Sequence, residues 1–442
     1  MNIREFSDRV LAAAKAAGID PAEISYSESA SFSAQARLGK LEDYQVSDRI
    51  GFVLRGMVGG RIGTASTQAI DEDSIALLVR GVTESAELIE TDEQDDILPP
   101  DEHYETVVNR KPELESVTAG EKIAQVMALD RRVCRADSRI TPERSIVSSA
   151  SETFCLRNSL GLDLSHSSNM IYAYTSVMAR EDGHTATGGK LLWGYGLEDV
   201  DAEILAQSAA GDALSKLNAG RMKSGVYPVV IRNSAMGDLL TTFSGVFSAD
   251  NAQKGLSLLG GREGEAIASA QVTLVDDPLM PMGLASCPFD REGAATRRKN
   301  VIEGGVLTTL LHNRKTARKA GVATTGNAAG AGRVAPSNFY IAPGERSEAE
   351  LLADMGDGLY LTEVSGLHAG ANPVSGDFSL LSRGFEVRGG EIVRAVEQFT
   401  VAGNFYRLLE DIVAVGSDLL FDGSPIGSPC VRVTGLSVAG EN

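Results

Sequence analysis

The sequence predicts an α+β fold, with a mixed N-terminal domain of antiparallel strands and flanking helices and a β-rich C-terminal domain. Helix-like apolar spacing is concentrated in the first half of the chain, whereas short strands separated by glycine turns dominate the second half. The 47 glycines fit a strand-rich architecture with many tight turns. With 442 residues, 43% of them hydrophobic, the chain is long and apolar enough for two domains with their own cores.

Apolar periodicity and turn residues place the elements of the first half. We predict helices over 2–17, from the cap Asp71 to about Leu88, over 121–135 and over 199–218. Strands are predicted around 25–29 and 50–55, followed by a turn at Gly59–Gly60, and over 145–180 with a hairpin at Gly161. The last of these helices has the apolar stripe Ile204, Leu205, Ala209, Ala213, Leu214 and Leu217.

Two segments interrupt this pattern and suggest the domain organisation. Residues 90–105 are acidic and contain Pro99–Pro100, which predicts an exposed connection within about 90–118. A boundary near 220–225 divides the chain into domains 1–222 and 223–442. The second domain is predicted to begin with a buried strand over 227–231 and a helix from Ser234, followed by strands near 272–275, 301–307, 384–393 and 431–438.

Charge and composition exclude several functional classes. A net charge of −19 opposes binding to nucleic acid, and we interpret the basic run 297–299 as a solvated surface. No stretch approaches the roughly 18 apolar residues of a membrane span, and the polar start of the chain does not resemble a signal peptide. The four scattered cysteines have no CxxC pair, which favours a cytoplasmic protein with thiols that behave as small buried hydrophobic groups.

None of the common catalytic motifs is present in the sequence. The five histidines lie far apart, so there is no HExxH zinc motif, and neither GxSxG nor a complete phosphate-binding loop occurs. A pairing of Cys287 with His368 has no local support but stays open. The glycine-rich segment with Gly326, Asn327, Gly330 and Gly332 is a candidate substrate-binding loop, although a mobile loop is the simpler interpretation. The residues alone favour an interaction subunit over an enzyme.

Short segments in a specific order and spacing cover nearly the whole chain, at 37–42, 51–56, 61–63, 275–277, 289–293, 301–307, 326–327, 375–379, 384–387, 389–392, 401–405 and 415–418. Together they resemble the TldD–PmbA family, also called modulators of DNA gyrase, and its PmbA/TldE-like branch in particular. The resemblance implies a cytoplasmic metallopeptidase assembled from two related subunits, one of which holds a catalytic metal with HExxxH and a downstream cysteine.

The resemblance aligns the metal motif with Thr241, Thr242 and Val246, so both histidine positions and the general-base position are replaced. No cysteine lies in the loop 419–429, and Cys430 follows in a predicted strand. Threonine and valine do not replace imidazole and carboxylate ligands, so we expect no metal, no cofactor and no peptidase activity of the chain alone.

Three functional hypotheses follow. The first is a subunit that pairs with a TldD-like catalytic chain, as a heterodimer or larger assembly, or with itself when isolated. The resemblance implies peptide substrates, including a microcin precursor and an antitoxin. The second is a stand-alone homodimeric metal-dependent peptidase with an unrecognised site. The third is a regulator that binds gyrase directly. We expect no direct contact with nucleic acid or membrane.

Overall fold

The computed structural model describes residues 1–89 and 96–441. The helices are α1 (Ile3–Ala16), α2 (Glu72–Glu87), α3 (Glu113–Ser116), α4 (Ala119–Ala136), α5 (Ala202–Ser215), α6 (Asn233–Phe243), α7 (Ala249–Gln253), α8 (Arg314–Ala320), α9 (Glu348–Met355), α10 (Leu367–Gly370) and α11 (Phe405–Glu410). The strands are β1 (Ala22–Arg37), β2 (Lys40–Val58), β3 (Arg61–Thr67), β4 (Ile140–Asn158), β5 (Asp163–Glu181), β6 (His184–Gly194), β7 (Gly225–Ile231), β8 (Leu274–Asp276), β9 (Lys299–Glu303), β10 (Val306–Leu307), β11 (Phe339–Ile341), β12 (Gly358–Ser365), β13 (Asp377–Arg388), β14 (Glu391–Asn404), β15 (Ile412–Val415), β16 (Ile426–Gly427) and β17 (Val431–Ala439).

The N-terminal half is built on one antiparallel sheet with the strand order β3-β2-β1-β4-β5-β6. Apolar and polar residues alternate along its strands, so one face is buried. Helices α1 and α2 share a core with β1 and β2, and α4 and α5 share another with β1, β4 and β5. The α+β prediction is therefore confirmed.

The capping contacts confirm the predicted start of α2 and correct that of α5. The Asp71 carboxylate accepts a hydrogen bond from Ser74 N at 2.8 Å, so α2 begins where the sequence indicated. Helix α5 is shorter than predicted because Asp201 caps it. Its predicted stripe is wrong at Ile204, whose side chain is 55% exposed, because the buried face is made mainly of alanines.

The C-terminal half contains two further sheets. One is five-stranded, in the order β10-β9-β8-β11-β16, and the other is six-stranded, in the order β14-β13-β12-β7-β17-β15. An additional pairing of β14 with β17 closes the second sheet on itself. Helix α6 follows the buried strand β7 and packs into the large core of this half.

Polar and aromatic contacts join the two halves. Trp193 Nε1 donates a hydrogen bond to Phe421 O at 2.6 Å, and Tyr195 Oη donates to Met282 O at 2.9 Å. Phe289 packs with Phe154 and neighbouring leucines in a small cluster of buried side chains. These contacts set the relative positions of the surfaces described below.

The predicted connection lies only partly within the described residues, because 90–95 are outside them. Residues 98–103 are exposed as expected, but Ile97 and Asn109 are buried. The division of the chain at residue 222 stays a prediction, and it falls between α5 and β7. Among the helices of the described ranges, none is long and apolar enough to cross a membrane.

Candidate functional site

The segment aligned with the metal motif spans the end of α6 and the turn after it. Helix α6 buries Ala235, Met236, Leu239, Leu240 and Phe243, at the spacing of one helical face. Phe243 stacks on Phe405 with 4.7 Å between ring centroids, which fixes the end of the helix in the core. A 3-10 turn, Ser244–Phe247, follows directly.

The three predicted positions have different surroundings. Thr241 is exposed, Thr242 is partly exposed, and Val246 is 1% exposed within the aliphatic core. The Thr242 hydroxyl donates to Asp238 O of its own helix at 2.8 Å. A site of this kind needs imidazole, thiolate or carboxylate ligands that converge. The residues present here do not fit the metal that the resemblance implies.

A different cluster of possible ligands lies at the start of α6. One ligand atom from each of Glu348, Asp418 and Cys430 lies within 4.8 Å of the other two, and this is the only such group within 1–89 and 96–441. Sequence reasoning missed it because the three positions are far apart in the chain. Cys430 directly precedes β17 rather than lying within the strand.

Protein donors already occupy this cluster. Asp418 accepts hydrogen bonds from Cys430 N and Asn233 Nδ2, both at 3.0 Å, and Tyr360 Oη donates to Glu348 Oε2 at 2.5 Å. Burial, together with the nearby carboxylates, raises the pKa of the Cys430 thiol. A neutral thiol beside satisfied carboxylates is suited to anchoring the first turn of α6, where Asn233 lies.

The other three cysteines differ in exposure. Cys134 is exposed, and Cys155 and Cys287 are partly exposed, so the expectation that all four are buried is wrong. Cys134 lies on α4, where the apolar face is formed by Val126, Leu129 and Val133 instead. Only Cys430 is fully enclosed.

The candidate loop has a fixed base and an exposed tip. Asn327 is buried, and its Nδ2 donates to Asp276 Oδ2 at 2.8 Å, the same oxygen that Lys299 Nζ contacts at 2.7 Å. Ala328 N donates to Asp290 Oδ2 at 3.0 Å. Gly330 and Gly332 turn the chain at the tip with φ of 82° and 72°. The Asp276–Lys299–Asn327 network therefore holds the base of the loop against β8 and β9.

This loop lines a cavity of about 400 Å³ between β4–β5 and the C-terminal half, which we call the loop cavity. His166 and Cys287 also line it, whereas His368 does not. His166 Nε2 lies 2.9 Å from Asn109 Oδ1. Since Asn109 Nδ2 donates to two carbonyl groups, its Oδ1 accepts and His166 Nε2 carries the proton.

The loop cavity holds no activated nucleophile. Burial raises the pKa of the Cys287 thiol to about 11, so it is protonated at neutral pH. Burial also lowers the pKa of His166, which keeps the imidazole neutral. Arg291 is paired with Glu152 at 2.7 Å and lies over the Phe154 ring at 4.1 Å. The cavity is suited to binding rather than to thiol chemistry.

A larger cleft of about 720 Å³, here called the interdomain cleft, separates β5, β6 and α5 from α6, β12 and the loop 416–425. Within it, Lys216 contacts Asp212 at 2.8 Å and also pairs with Glu363. Its lining also includes Lys190, Arg232, Asp238 and Asp422, which we call the charged group of the cleft. Asp238 lies on α6, one helical turn before Thr241 and Thr242.

The carboxylates in the interdomain cleft influence each other. Partial desolvation by the cleft walls, followed by the charge of Asp422, raises the pKa of Asp238 to about 6. The pKa of Asp422 is raised by desolvation and lowered by Lys190 and Arg232, with a net increase. Neither residue was singled out from the sequence, because only the folded chain brings α6 and the loop 416–425 together.

Comparison with known proteins identifies domains over most of the chain. Models of the PmbA/TldA metallopeptidase domains match residues 22–86 (domain 1), 112–217 (central domain) and 224–440 (C-terminal domain). The chain belongs to the PmbA/TldD metallopeptidase family. The resemblance seen in the sequence is confirmed, and the family models divide the N-terminal half into two parts.

Individual members of the family support this assignment. The Escherichia coli O157:H7 protein named metalloprotease PmbA is 27% identical over 407 residues, which cover 90% of this chain and 88% of that protein. A candidate modulator of a DNA gyrase from Thermotoga maritima MSB8 is 33% identical, with a TM-score of 0.94 over 99% of this chain and 100% of that one. TldE from Thermococcus kodakarensis shares the fold, with 21% identity and a TM-score of 0.90 over 98% of this chain and all of its own.

Proposed function

We propose that this chain is a PmbA/TldE-like non-catalytic subunit of a cytoplasmic TldD-type metallopeptidase complex that acts on unfolded or extended peptides. The supporting observation is the environment of Thr241, Thr242 and Val246. A buried valine, an exposed threonine and a threonine bonded to its own helix offer no ligand set for a metal that would activate water. Bond cleavage is therefore assigned to a partner with an HExxxH motif.

The proposed role of this chain is to form part of the wall of a peptide-binding chamber. Two concave surfaces, the loop cavity and the interdomain cleft, lie between its halves. The edge of β2 is a further support, because β3 pairs with β2 only over 52–58. Among the described residues no strand pairs with the outer edge of 40–51, so its backbone groups are available to an extended peptide.

The partner in this proposal is a TldD-like catalytic subunit, in a heterodimer or a larger assembly, and the isolated chain forms a homodimer. Processing of a microcin precursor, degradation of an antitoxin and modulation of gyrase are the roles that the family resemblance suggests for such a complex. The first two of these roles require peptide or protein substrates, which suits the wide surfaces between the two halves.

The test is to mix the chain with its cognate HExxxH-bearing relative and to measure cleavage of an unfolded protein. We expect little cleavage by either chain alone and a large increase when the two are combined. A catalytic chain with its metal ligand replaced should abolish cleavage in the mixture. Equal cleavage with and without the present chain would contradict the subunit proposal.

A second candidate is a stand-alone homodimeric peptidase that uses a metal held by Glu348, Asp418 and Cys430. The proximity of the three ligand atoms is the observation that favours it. Metal analysis of the purified chain separates the two candidates, with Cys430→Ser as the test variant and Cys134→Ser as the control. Stoichiometric metal that is lost only in Cys430→Ser, together with chelator-sensitive cleavage, would support this second candidate.

A further inference from the structure

The interdomain cleft is lined by four charged side chains that influence one another without direct contact. Lys190, Arg232, Asp238 and Asp422 make no side-chain hydrogen bond or close ion pair with any residue of the described ranges, although Lys190 and Arg232 act on Asp422 through their charges. Elsewhere in the same cleft, Lys216 is paired with two carboxylates. Charges of both signs that face a cleft without being used by the fold are available to a ligand.

These groups are held by rigid elements. Phe421 O accepts the hydrogen bond from Trp193, and a Cβ on Gly423 would meet Leu191 at 2.8 Å, so Asp422 lies between two close contacts with β6. Asp238 lies on α6, whose opposite face is buried in the core. Arg232 N donates to Leu361 O at 2.9 Å. The backbone positions of Asp422, Asp238 and Arg232 are therefore largely set before a ligand arrives.

The arrangement favours a monovalent organic cation over a metal ion. Asp238 and Asp422 line the same cleft, and the charge of Asp422 raises the pKa of Asp238, so a positive group placed between them would relieve their repulsion. No third histidine, cysteine or carboxylate joins them in a metal-ligand group within the described residues, and divalent ions need more ligands than two carboxylates. Lys190 and Arg232 would also repel a dication, but they suit carbonyl or carboxylate oxygens.

We propose that the charged group of the interdomain cleft binds a primary ammonium group of an extended peptide between Asp238 and Asp422, while Lys190 and Arg232 contact the peptide's oxygen atoms. The ammonium group is either the free amino terminus or a lysine side chain. This inference rests on the proposed function only in taking a peptide as the ligand. It implies that the part of a peptide that carries a free amino group enters the cleft.

The test measures binding of short unstructured peptides, labelled with a fluorophore at the carboxyl end, to the isolated chain by fluorescence anisotropy. Three peptides are compared: one with a free amino terminus, the same peptide acetylated, and an acetylated version with one lysine. We expect acetylation without lysine to weaken binding about tenfold or more, as for the loss of a charge-assisted contact. Recovery of affinity in the lysine peptide would identify the side-chain ammonium as an equivalent ligand.

Variants of the cleft locate the binding group. Asp238→Asn and Asp422→Asn should each weaken binding of the free-amine peptide about tenfold, whereas Asp238→Glu should retain most of the affinity. Asp73→Asn, which changes an exposed carboxylate on α2, is the matched control. Equal affinity for the free and acetylated peptides would overturn the proposal, and so would unchanged binding by both asparagine variants.

The cleavage assay with the catalytic relative keeps the two proposals separate. If the chain binds free-amine and acetylated peptides equally, but cleavage still depends on the chain, only the assignment of the cleft is rejected. Amine-selective binding by a chain that never increases cleavage would reject the subunit role alone.

Discussion

At the scale of single residues, the stretch from Thr241 to Val246 shows how local geometry decides chemistry. Helix α6 ends at Phe243, and the 3-10 turn that follows carries Val246 into the core while Thr241 stays in contact with water. At both positions the residue type suits its surroundings, because valine is at home in an aliphatic core and threonine tolerates an exposed position on a helix. We therefore expect that histidines introduced at Thr241 and Val246 would not create a metal site.

Val246→His should destabilise the protein strongly, whereas Thr241→His should be nearly neutral. The first change places a larger, polar imidazole in a packed aliphatic site and should lower the free energy of unfolding by about 2 kcal/mol or more. The second adds a side chain at an exposed position. Urea unfolding followed by circular dichroism measures both, and equal effects of the two changes would contradict this account.

Asp238→Asn should change stability in a pH-dependent way. The folded protein raises the pKa of Asp238 from 3.8 to about 6, so ionisation of this group disfavours the folded state. Above about pH 6 the asparagine variant should melt at a higher temperature than the unmodified chain. The difference should shrink as the pH falls from about 6 towards 4, because the carboxyl is then protonated in the folded state. Thermal melts across this range measure the difference, and a gap that is constant with pH would exclude Asp238 as its cause.

At the scale of elements, one buried network connects β8, β9 and the candidate loop. Asp276 is fully buried, accepts from Ser337 and Asn327, and is paired with Lys299. Because charged groups are rarely buried without partners, this network holds the loop base only while it is complete. The loop tip at Gly330 and Gly332 lies outside it, so base and tip should differ in stability.

Lys299→Met should therefore have a larger effect than loss of a surface ion pair. Removing one partner of a buried pair typically costs about 3–5 kcal/mol. The matched control, Lys254→Met, breaks an exposed pair with Asp250 and should cost at most about 1 kcal/mol. Urea unfolding gives both values, and limited proteolysis should show cleavage near 326–332 in the first variant only. Similar losses in both variants would show that the network contributes little.

The elements that the sequence predicted best are those with local signals. Asp71 capped α2 as expected, and Gly161 marked the hairpin between β4 and β5, because capping and turn residues act within a few positions. The sites were harder to predict. Asp238 and Asp422, or Glu348 and Cys430, meet only through packing of distant segments, so no spacing rule could pair them. Ile204 was misplaced because alanines, whose hydrophobic signal is weak, form the buried face of α5.

At the scale of the whole molecule, the interface between the halves determines the shape of both cavities. Trp193, Tyr104 and Tyr195 donate hydrogen bonds across it, and Phe289 fills the apolar cluster beside the loop cavity. Hydrogen bonds formed across an interface compete with water, so each contributes only about 1 kcal/mol. Burial of the Phe289 ring, which is 3% exposed, should therefore contribute more to coupling than any one of these bonds.

Phe289→Ala should uncouple the two halves. Truncation of a buried phenylalanine costs about 3–5 kcal/mol, and here much of that loss falls on the interface rather than on either core. We expect one calorimetric transition in the unmodified chain and two in the variant. The fluorescence of Trp193, the only tryptophan, should change at the first of these two transitions because its indole contacts the other half.

Phe52→Ala is the control, since Phe52 is buried beside Phe6 within the first half, away from this interface. Only loss of the interface should let each half unfold at its own temperature. Two unfolding transitions in Phe52→Ala, or a single transition in Phe289→Ala, would therefore show that Phe289 does not couple the halves.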